Sequence, residues 1–447
     1  MSSSVTRAPG LVADPAPVSG TLALIRRAGG VAFAIQVAGA GVAYLQQVLL
    51  ARLLGASHYG LYTYIYLWAG FVALLAGLGL PAASLRFVPA YRAAGDAVSV
   101  HGFVRTAGRA TYASALAVAG AAALAALALR AAGASGAPLY LLLAGLLVPA
   151  LAGSILYSEL ARARGRIATA YVAPQIARPA LIGVGAVLLA GTAGVSSAGV
   201  LAVTVAGAYL VLVVQRRATM RMYEPTAVQR YDRAARREWL GVGGSLLAVS
   251  AFVVVLMQLD IVIVGTVLGP REAGVYAAAA RTATLVSFVI VAVNAAAAPR
   301  FAALWAQGRV DELQRLVTRL AGLIFWPSVA IAAGLAVLSG PLLALFGPGF
   351  DQARPALLVL LAGQLVNAGA GSVGYLLTLT GYHREATVAL GFSALLFVVL
   401  AAAGALTFGL LGVAVGSMLG FVTWNVWLCV LVWRRLSIRA SILGGAR

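Results

Sequence analysis

LLGASHYGLY at residues 53–62 aligns without a gap on VLGPREAGVY at 267–276 when the chain is shifted against itself so that Gly55 meets Gly269. The shared positions are a Leu-Gly pair followed by a glycine and a tyrosine, namely Leu54, Gly55, Gly60 and Tyr62 on Leu268, Gly269, Gly274 and Tyr276. The same shift places Arg86 on Arg300 and Arg105 on Arg319. Glycines in a tight turn and arginines at a helix end are constrained positions, so their coincidence at one shift indicates an internal duplication.

The sequence around these segments is too apolar to fold in water. Hydrophobic residues make up 62% of the chain and charged residues 10%, which leaves too little polar surface to cover a soluble protein of 447 residues. Apolar stretches long enough to cross a bilayer recur from Gly29 to Trp433. We predict about twelve membrane-spanning helices, at 29–51, 61–85, 109–130, 138–160, 168–191, 196–215, 241–267, 276–299, 317–339, 355–380, 385–407 and 410–433.

The longest charged connector divides these spans into two sets of six. Because each set has an even number of spans, the two halves of the duplication have the same orientation. The fold class is therefore an all-α integral membrane protein, with two parallel six-helix lobes around a central cavity. The predicted divisions are a disordered cytoplasmic tail at 1–28, an N-terminal lobe at 29–215, a basic cytoplasmic connector at 216–240, a C-terminal lobe at 241–434 and a cytoplasmic tail at 435–447.

The net charge of +20 follows the expected membrane topology. All 32 basic residues are arginine, and 26 of them lie on one side of the membrane if the N-terminus is cytoplasmic. We therefore expect a multi-pass protein of the bacterial inner membrane with both termini in the cytoplasm, and no nucleic-acid partner. The connector carries seven of these arginines, which suits a segment lying on anionic lipid headgroups, and a hinge between the lobes stays open as an alternative.

Several kinds of chemistry lack the residues they need. Without lysine the chain has no phosphate-binding GxxxxGK[ST] loop and no Schiff-base lysine. Cys429 is the only cysteine, and His58, His101 and His383 are far apart in sequence. We expect no metal site and no cofactor beyond a coupling ion.

Three segments resemble a known family: ARLLGASHYGLYTYIYLWAGFVALLAGLGLPAASLRFVPAY at 51–91, QLDIVIVGTVLGPREAGVYAAAAR at 258–281 and FGLLGVAVGSMLG at 408–420. They are similar to the oligosaccharide flippases of polysaccharide biosynthesis, which share a superfamily with multidrug and toxin extrusion transporters and the peptidoglycan-precursor flippase. The arginine-rich first span expected of the peptidoglycan-precursor branch is missing, and that branch typically has more spans.

The resemblance implies a substrate and a mechanism. The substrate would be an undecaprenyl-pyrophosphate-linked oligosaccharide, moved from the cytoplasmic to the outer leaflet by alternating access of the lobes. The coupling ion would be H⁺ or Na⁺. Membrane lipids and polysaccharide-assembly proteins would be partners of a monomeric transporter.

Arg178 is the deepest charge in the predicted spans. It lies about 15 Å into the fifth span, between Pro174 and Pro179, and no acidic residue lies at matching depth. Its guanidinium could bind a pyrophosphate headgroup, or it could be satisfied by backbone carbonyls that a proline kink releases. The sequence is compatible with both interpretations.

Asp260 and Arg281 lie at similar depth, each about 9 Å from the outer ends of adjacent antiparallel spans. We predict a structural ion pair between them, with a substrate or coupling-ion role as the alternative. Their counterparts in the first half are Gln46 and Leu67, so the charges belong to the second half alone.

Neutral polar residues in the spans either line the cavity or bridge helices, and the candidates are Gln46, Gln175, Asn294, Gln364 and Asn367.

Two other functions compete with the flippase. A membrane polysaccharide polymerase or ligase would need paired carboxylates outside the bilayer, but the longest outer loop, at 340–353, carries Asp351 alone. Multidrug efflux would use the same fold, and the cationic deep residue favours an anionic lipid over a drug.

Overall fold

The computed structural model describes residues 18–192, 194–223 and 233–442. These residues form α-helices connected by short turns. The helices are α1 (Val18–Ala76), α2 (Leu80–Ala93), α3 (Ala97–Ala131), α4 (Ala137–Ala163), α5 (Ile167–Val172), α6 (Arg178–Thr192), α7 (Ser197–Met220), α8 (Arg233–Val267), α9 (Pro270–Thr284), α10 (Ser287–Ala306), α11 (Val310–Val337), α12 (Ser339–Ala344), α13 (Arg354–Ala370), α14 (Val373–Leu379) and α15 (His383–Leu436). A π-helical turn at Ala173–Ala177 joins α5 to α6, and a 3₁₀ turn at Phe350–Ala353 precedes α13.

The helices confirm the predicted number of spans. Within the described residues, 9 helices are long and apolar enough to cross a membrane, and the bent pair α9–α10 makes a tenth span. Two of the 9 are much longer than a bilayer requires, with 43 residues at Ala34–Ala76 and 53 residues at Arg384–Leu436. Each is broken at one glycine, Gly55 in α1 and Gly409 in α15. Each therefore supplies two spans, which brings the described chain to twelve.

The two repeat turns have the same backbone conformation. Gly55 has φ 70° and ψ 169°, and its counterpart Gly269 has φ 104° and ψ 174°. A side chain at such a positive φ is strained, so glycine is the residue that this turn requires. We call the end of the lobes that carries these turns the turn end.

The lobes meet in a central apolar cluster at the turn end. The ring of Tyr44 packs edge-on against Phe346 at 5.7 Å, and Tyr59 packs on Phe350 at 6.1 Å between ring centroids. At the surface of the same region, Arg52 Nε donates a hydrogen bond of 2.6 Å to the carbonyl oxygen of Leu345. These contacts join the first half of the chain to the second and close the turn end.

A reciprocal backbone contact lies at the centre of this closure. A Cβ at Gly60 would lie 1.7 Å from the Pro270 carbonyl oxygen, and a Cβ at Gly274 would lie 2.2 Å from the Ala56 carbonyl oxygen. Gly60 and Gly274 are equivalent in the repeat, and so are Ala56 and Pro270. The second half of α1 and α9 therefore cross with local two-fold symmetry, at a distance that only glycine permits.

The structure extends several predicted boundaries. Helix α1 begins at Val18, so the predicted disordered tail at 1–28 is helical from that residue onward, while residues 1–17 lie outside the described part. Helix α7 continues to Met220 and α8 begins at Arg233, so the connector predicted at 216–240 is helical at both ends; residues 224–232 are outside the described part. Hydropathy marks only the lipid-embedded part of a helix, whereas the helices continue beyond the bilayer.

The segments that flank the C-terminal lobe, at the start of α8 and after the end of α15, are packed against other helices of the protein. Trp239, in the first turns of α8, is buried against Phe103 of the N-terminal lobe and donates a hydrogen bond of 2.9 Å to the Tyr91 hydroxyl. After α15, the backbone of Arg439 exchanges two hydrogen bonds with the side chain of Gln314, and Ile438 is fully buried. The part of the predicted tail at 435–447 that the structure describes, up to residue 442, is therefore attached to α11.

Candidate functional site

A cavity of about 400 Å³ lies between the two lobes. Both halves of α1, the π-helical turn and α6 form one wall, and α8, α9 and α10 form the other. The polar residues that line it are Gln36, Tyr44, Gln46, Gln47, Tyr62, Tyr66, Gln175, Arg178, Gln258, Arg281 and Thr284.

Arg178 faces this cavity from a distorted helix. It is the first residue of α6 and follows the π-helical turn at Ala173–Ala177, which contains Pro174. Proline has no backbone N–H to continue the ladder of hydrogen bonds, so the predicted kink takes the form of a wider π turn. In the part of the chain that the structure describes, the half-buried guanidinium makes no hydrogen bond and no ion pair. The alternative interpretation, in which backbone carbonyls released by the proline kink bind Arg178, is therefore not observed in this structure.

Arg281 lines the same cavity from the opposite lobe. It lies one turn before the end of α9, and α9 and α10 meet there at a bend of 40°. Its Nε is buried and has no hydrogen-bond partner among the described residues. The two interlobe walls thus each present one guanidinium to the cavity.

The predicted ion pair between Asp260 and Arg281 is wrong for this structure. Asp260 instead accepts a hydrogen bond of 3.1 Å from the Tyr276 hydroxyl and one of 2.9 Å from the backbone N–H of Ile261. Arg281 follows Tyr276 on α9 by five residues, a step that turns its side chain by about 140° around the helix axis. Matching depth therefore brings the two charges within electrostatic range but not into an ion pair, because Asp260 bonds to Tyr276 of its own lobe and Arg281 lines the cavity.

The repeat tyrosines connect equivalent helices within each lobe. Tyr62 accepts a hydrogen bond of 3.3 Å from Thr204 of α7, and Tyr276 contacts Ser417 of α15 at 3.3 Å. Asp260 is an additional partner of Tyr276, where the first lobe has Gln46. The buried carboxylate of Asp260 is thus an addition to a polar contact that both lobes share.

The other predicted residues divide between the cavity and the helix contacts. Gln46 and Gln175 line the cavity, and Gln46 Nε2 is buried without a partner among the described residues. Asn294 accepts a hydrogen bond from the Ser372 hydroxyl and so bridges α10 to the turn before α14. Gln364 and Asn367 are half-buried in α13 and are not among the residues that line this cavity.

Six polar residues of the cavity were not predicted, namely Gln36, Tyr44, Gln47, Tyr66, Gln258 and Thr284. The repeat contains a signal for two of them. Tyr44 and Gln258 are equivalent at the repeat shift, and both line the cavity. Tyr44 also contacts Thr282 of the other lobe through their hydroxyls, at 3.1 Å. A search for polar residues at both positions of the repeat would have found this pair.

The electrostatic character of the cavity is cationic. The described residues of its lining include two arginines and no aspartate or glutamate. Unpaired guanidinium groups bind phosphate and carboxylate oxygens through paired hydrogen bonds, and the surrounding amides and phenols can bind hydroxyl groups. The arrangement is suited to an anionic ligand with further polar groups.

Comparisons with known proteins agree with the fold. The family model described as "Polysaccharide biosynthesis protein" matches residues 25–305, and the family model MatE matches residues 246–403. No curated protein matches the chain.

Solved structures share the fold at low sequence identity. A multidrug resistance MATE family transporter of the MOP superfamily, in its inward-facing conformation, superposes with a TM-score of 0.70 at 18% identity, covering 89% of this chain and 94% of that one. A MATE structure in the straight conformation gives 0.64 at 17% identity, covering 92% and 95%. A MOP superfamily transporter from Pyrococcus furiosus, described by the reverse polarity of its binding pocket, gives 0.59 at 17% identity and covers 92% and 95%.

Proposed function

This chain belongs to the polysaccharide biosynthesis protein family, and from that membership we propose that it is a flippase for a polyprenyl-pyrophosphate-linked oligosaccharide. The observation that supports this proposal most directly is the cationic cavity, which Arg178 lines from the N-terminal lobe and Arg281 from the C-terminal lobe. The described residues of its lining include no acidic residue. A pyrophosphate carries the charge and the oxygen atoms that two guanidinium groups bind. The amides of Gln46, Gln175 and Gln258 would then bind sugar hydroxyls.

Alternating access of the two lobes would move this ligand. With the predicted topology the turn end faces away from the cytoplasm, and the contacts of Tyr44, Tyr59 and Arg52 close that end. The cavity would therefore load from the cytoplasmic leaflet. Separation of the reciprocal glycine contact would then open it to the outer leaflet.

The driving ion is a separate element of the proposal. Asp260 is a buried carboxylate of the C-terminal lobe, and its hydrogen bond to Tyr276 lies close to the crossing of the lobes. Binding of H⁺ or Na⁺ at Asp260 would weaken that bond and so couple the ion to the lobe movement. Asp260→Asn should then abolish the response of transport to an ion gradient while leaving ligand binding intact.

Binding and transport in proteoliposomes test the flippase. Arg178→Gln and Arg281→Gln should each weaken binding of undecaprenyl pyrophosphate at least about tenfold, because a hydrogen bond to a charged group contributes about 1.5–3 kcal/mol. Each should also slow translocation of a fluorescent lipid-linked oligosaccharide. Arg130→Gln, at the exposed end of α3, is the matched control and should behave as the native protein. Native binding and transport by both cavity variants would refute the flippase.

Multidrug efflux is the second candidate, because the MatE family model matches residues 246–403 and the fold is that of MATE transporters. The same vesicles distinguish the two functions. An efflux protein would transport an amphipathic organic cation and ignore the lipid-linked oligosaccharide. The cationic cavity predicts the opposite result, since two arginines repel a cationic drug.

A further inference from the structure

A second cavity of about 240 Å³ lies beside the first and has different chemistry. It is formed by the second half of α1, by α4 and by α8. The residues around it include Trp68, Phe71, Leu74, Leu151, Ile155 and Val254. Among the described residues of its lining Arg178 alone is charged, and Trp68 is 38% exposed. The apolar groove, as we call this cavity, thus extends from the centre of the molecule toward the lipid-facing surface.

The apolar groove and the polar cavity are counterparts in the internal repeat. At the repeat shift, Gly70, Phe71 and Leu74 of the groove correspond to Thr284, Leu285 and Phe288 of the polar cavity. On the facing helices, Val254 of the groove corresponds to Ala40 of the polar cavity. The duplication therefore produced two equivalent openings between the lobes.

The two openings have since become chemically different. Arg281 and Thr284 of the polar cavity are replaced in the groove by Leu67 and Gly70. The groove thus lacks a charge and a hydroxyl at the positions where the polar cavity has them. This side of the molecule is suited to hydrocarbon.

Arg178 joins the two spaces. Tyr66, Arg178 and Gln258 line both the groove and the polar cavity. A ligand that bridges them must have an anionic group at Arg178, polar groups on one side and an apolar chain on the other. A diphosphate that connects a glycan to a hydrocarbon chain meets all three conditions.

We propose that the apolar groove holds the hydrocarbon chain of the translocated anionic lipid, with the diphosphate at Arg178. This inference rests on the proposed function and assigns the route by which the hydrocarbon chain of the lipid leaves the protein. The hydrocarbon leaves the molecule between the second half of α1 and α8, past Trp68. It does not leave between the first half of α1 and the α9–α10 bend, where Arg281 and Thr284 line the opening.

Site-specific photocrosslinking tests the route. A photoreactive p-benzoylphenylalanine replaces Gly70, where a Cβ meets no atom within 4 Å. The matched variants carry it at Thr284, the repeat equivalent, and at Leu406, which is 77% exposed on the lipid-facing surface. Each protein is reconstituted in phosphatidylglycerol vesicles that contain undecaprenyl diphosphate and is then irradiated. Intact mass spectrometry identifies the adducts. The measured quantity is the ratio of undecaprenyl diphosphate adduct to phospholipid adduct.

We expect the ratio at Gly70 to exceed the ratio at Leu406 about tenfold, since a charge-assisted contact at Arg178 selects the diphosphate over bulk lipid. Thr284 should give the ratio of Leu406. Adding Arg178→Gln should lower the Gly70 ratio to that of Leu406. Equal ratios at Gly70 and Leu406 would overturn the proposal and identify the groove as a site for bilayer phospholipid.

A groove-filling variant gives a second measurement. Gly70→Phe places a ring in open space and should slow translocation of the lipid-linked oligosaccharide at least about tenfold, with binding of inorganic pyrophosphate at the native level. Native transport by Gly70→Phe would refute the groove. Selective capture at Thr284 would also refute it while leaving the flippase function in place. No selective capture at any position, together with no affinity for pyrophosphate, would instead refute the flippase itself.

Discussion

Replacing Gly60 by alanine should open the turn end of the lobes. The Cβ would lie 1.7 Å from the Pro270 carbonyl oxygen, where contacts under 3.0 Å essentially do not occur, so the two helices must move apart. The obstructing atom is backbone, which cannot rotate away as a side chain would. Overpacking of this kind costs about 1–3 kcal/mol. That cost falls on the closed state alone, so it lowers the ratio of closed to open protein by a factor of about 5–150.

Crosslinking across the turn end measures this ratio. Cys429, the only native cysteine, is replaced by serine, and new cysteines at Arg52 and Leu345 report the closed state because these residues are in contact. A short thiol crosslinker should join them rapidly in the otherwise native protein and at least about fivefold more slowly with Gly60→Ala. Gly120→Ala, where a Cβ meets no atom within 4 Å, is the control. Unchanged crosslinking by Gly60→Ala would show that the glycine contact does not limit lobe closure.

Three further predictions concern stability in detergent. Tyr276→Phe leaves Asp260 with one backbone donor and should cost about 1–3 kcal/mol of unfolding free energy. Tyr62→Phe should cost less, because Thr204, the partner of Tyr62, keeps its hydrogen bond to the Val200 carbonyl. Chemical denaturation of both variants checks this order. Trp239→Ala removes a fully buried ring between α8 and the N-terminal lobe and should cost about 3–5 kcal/mol, measured in the same way. Asp96 caps α3 through Ser99, whose side chain and backbone N–H lower the pKa of its carboxyl. Asp96→Ala should cost about 0.5–2 kcal/mol near neutral pH, and this difference should shrink as the pH falls below the ordinary carboxyl range and through the lowered pKa, which hydrogen exchange of the first turn of α3 would show.

The spans and the repeat could be predicted from sequence because the membrane imposes strong local requirements. A segment must be apolar for about 20 residues to cross the bilayer. This property can be recognised in the sequence without knowing which helices pack against the segment. The positive φ at Gly55 and Gly269 is likewise a local requirement that a Leu-Gly turn records in both halves. Pro174 marked the distortion beside Arg178, although not its π-helical form.

The partners of the buried charges could not be predicted, because depth in the membrane gives one coordinate of a side chain and not its direction around the helix. Asp260 and Arg281 match in depth, but Asp260 bonds to Tyr276 and Arg281 faces the cavity. The same limit explains why Asn294 bonds to Ser372 rather than lining that cavity. A rotation of about 100° per residue decides each case, and hydropathy does not contain it.

The reciprocal glycine contact couples the evolution of the two halves of the chain. Gly60 and Gly274 occupy the two sides of one helix crossing, so a side chain at either position widens the same gap. After the first replacement, the second glycine no longer has a close neighbour to avoid, and its replacement costs less than it would alone. Selection therefore acts on the pair as a unit: lineages should retain both glycines or lose both, even though the two lie in different halves of the sequence.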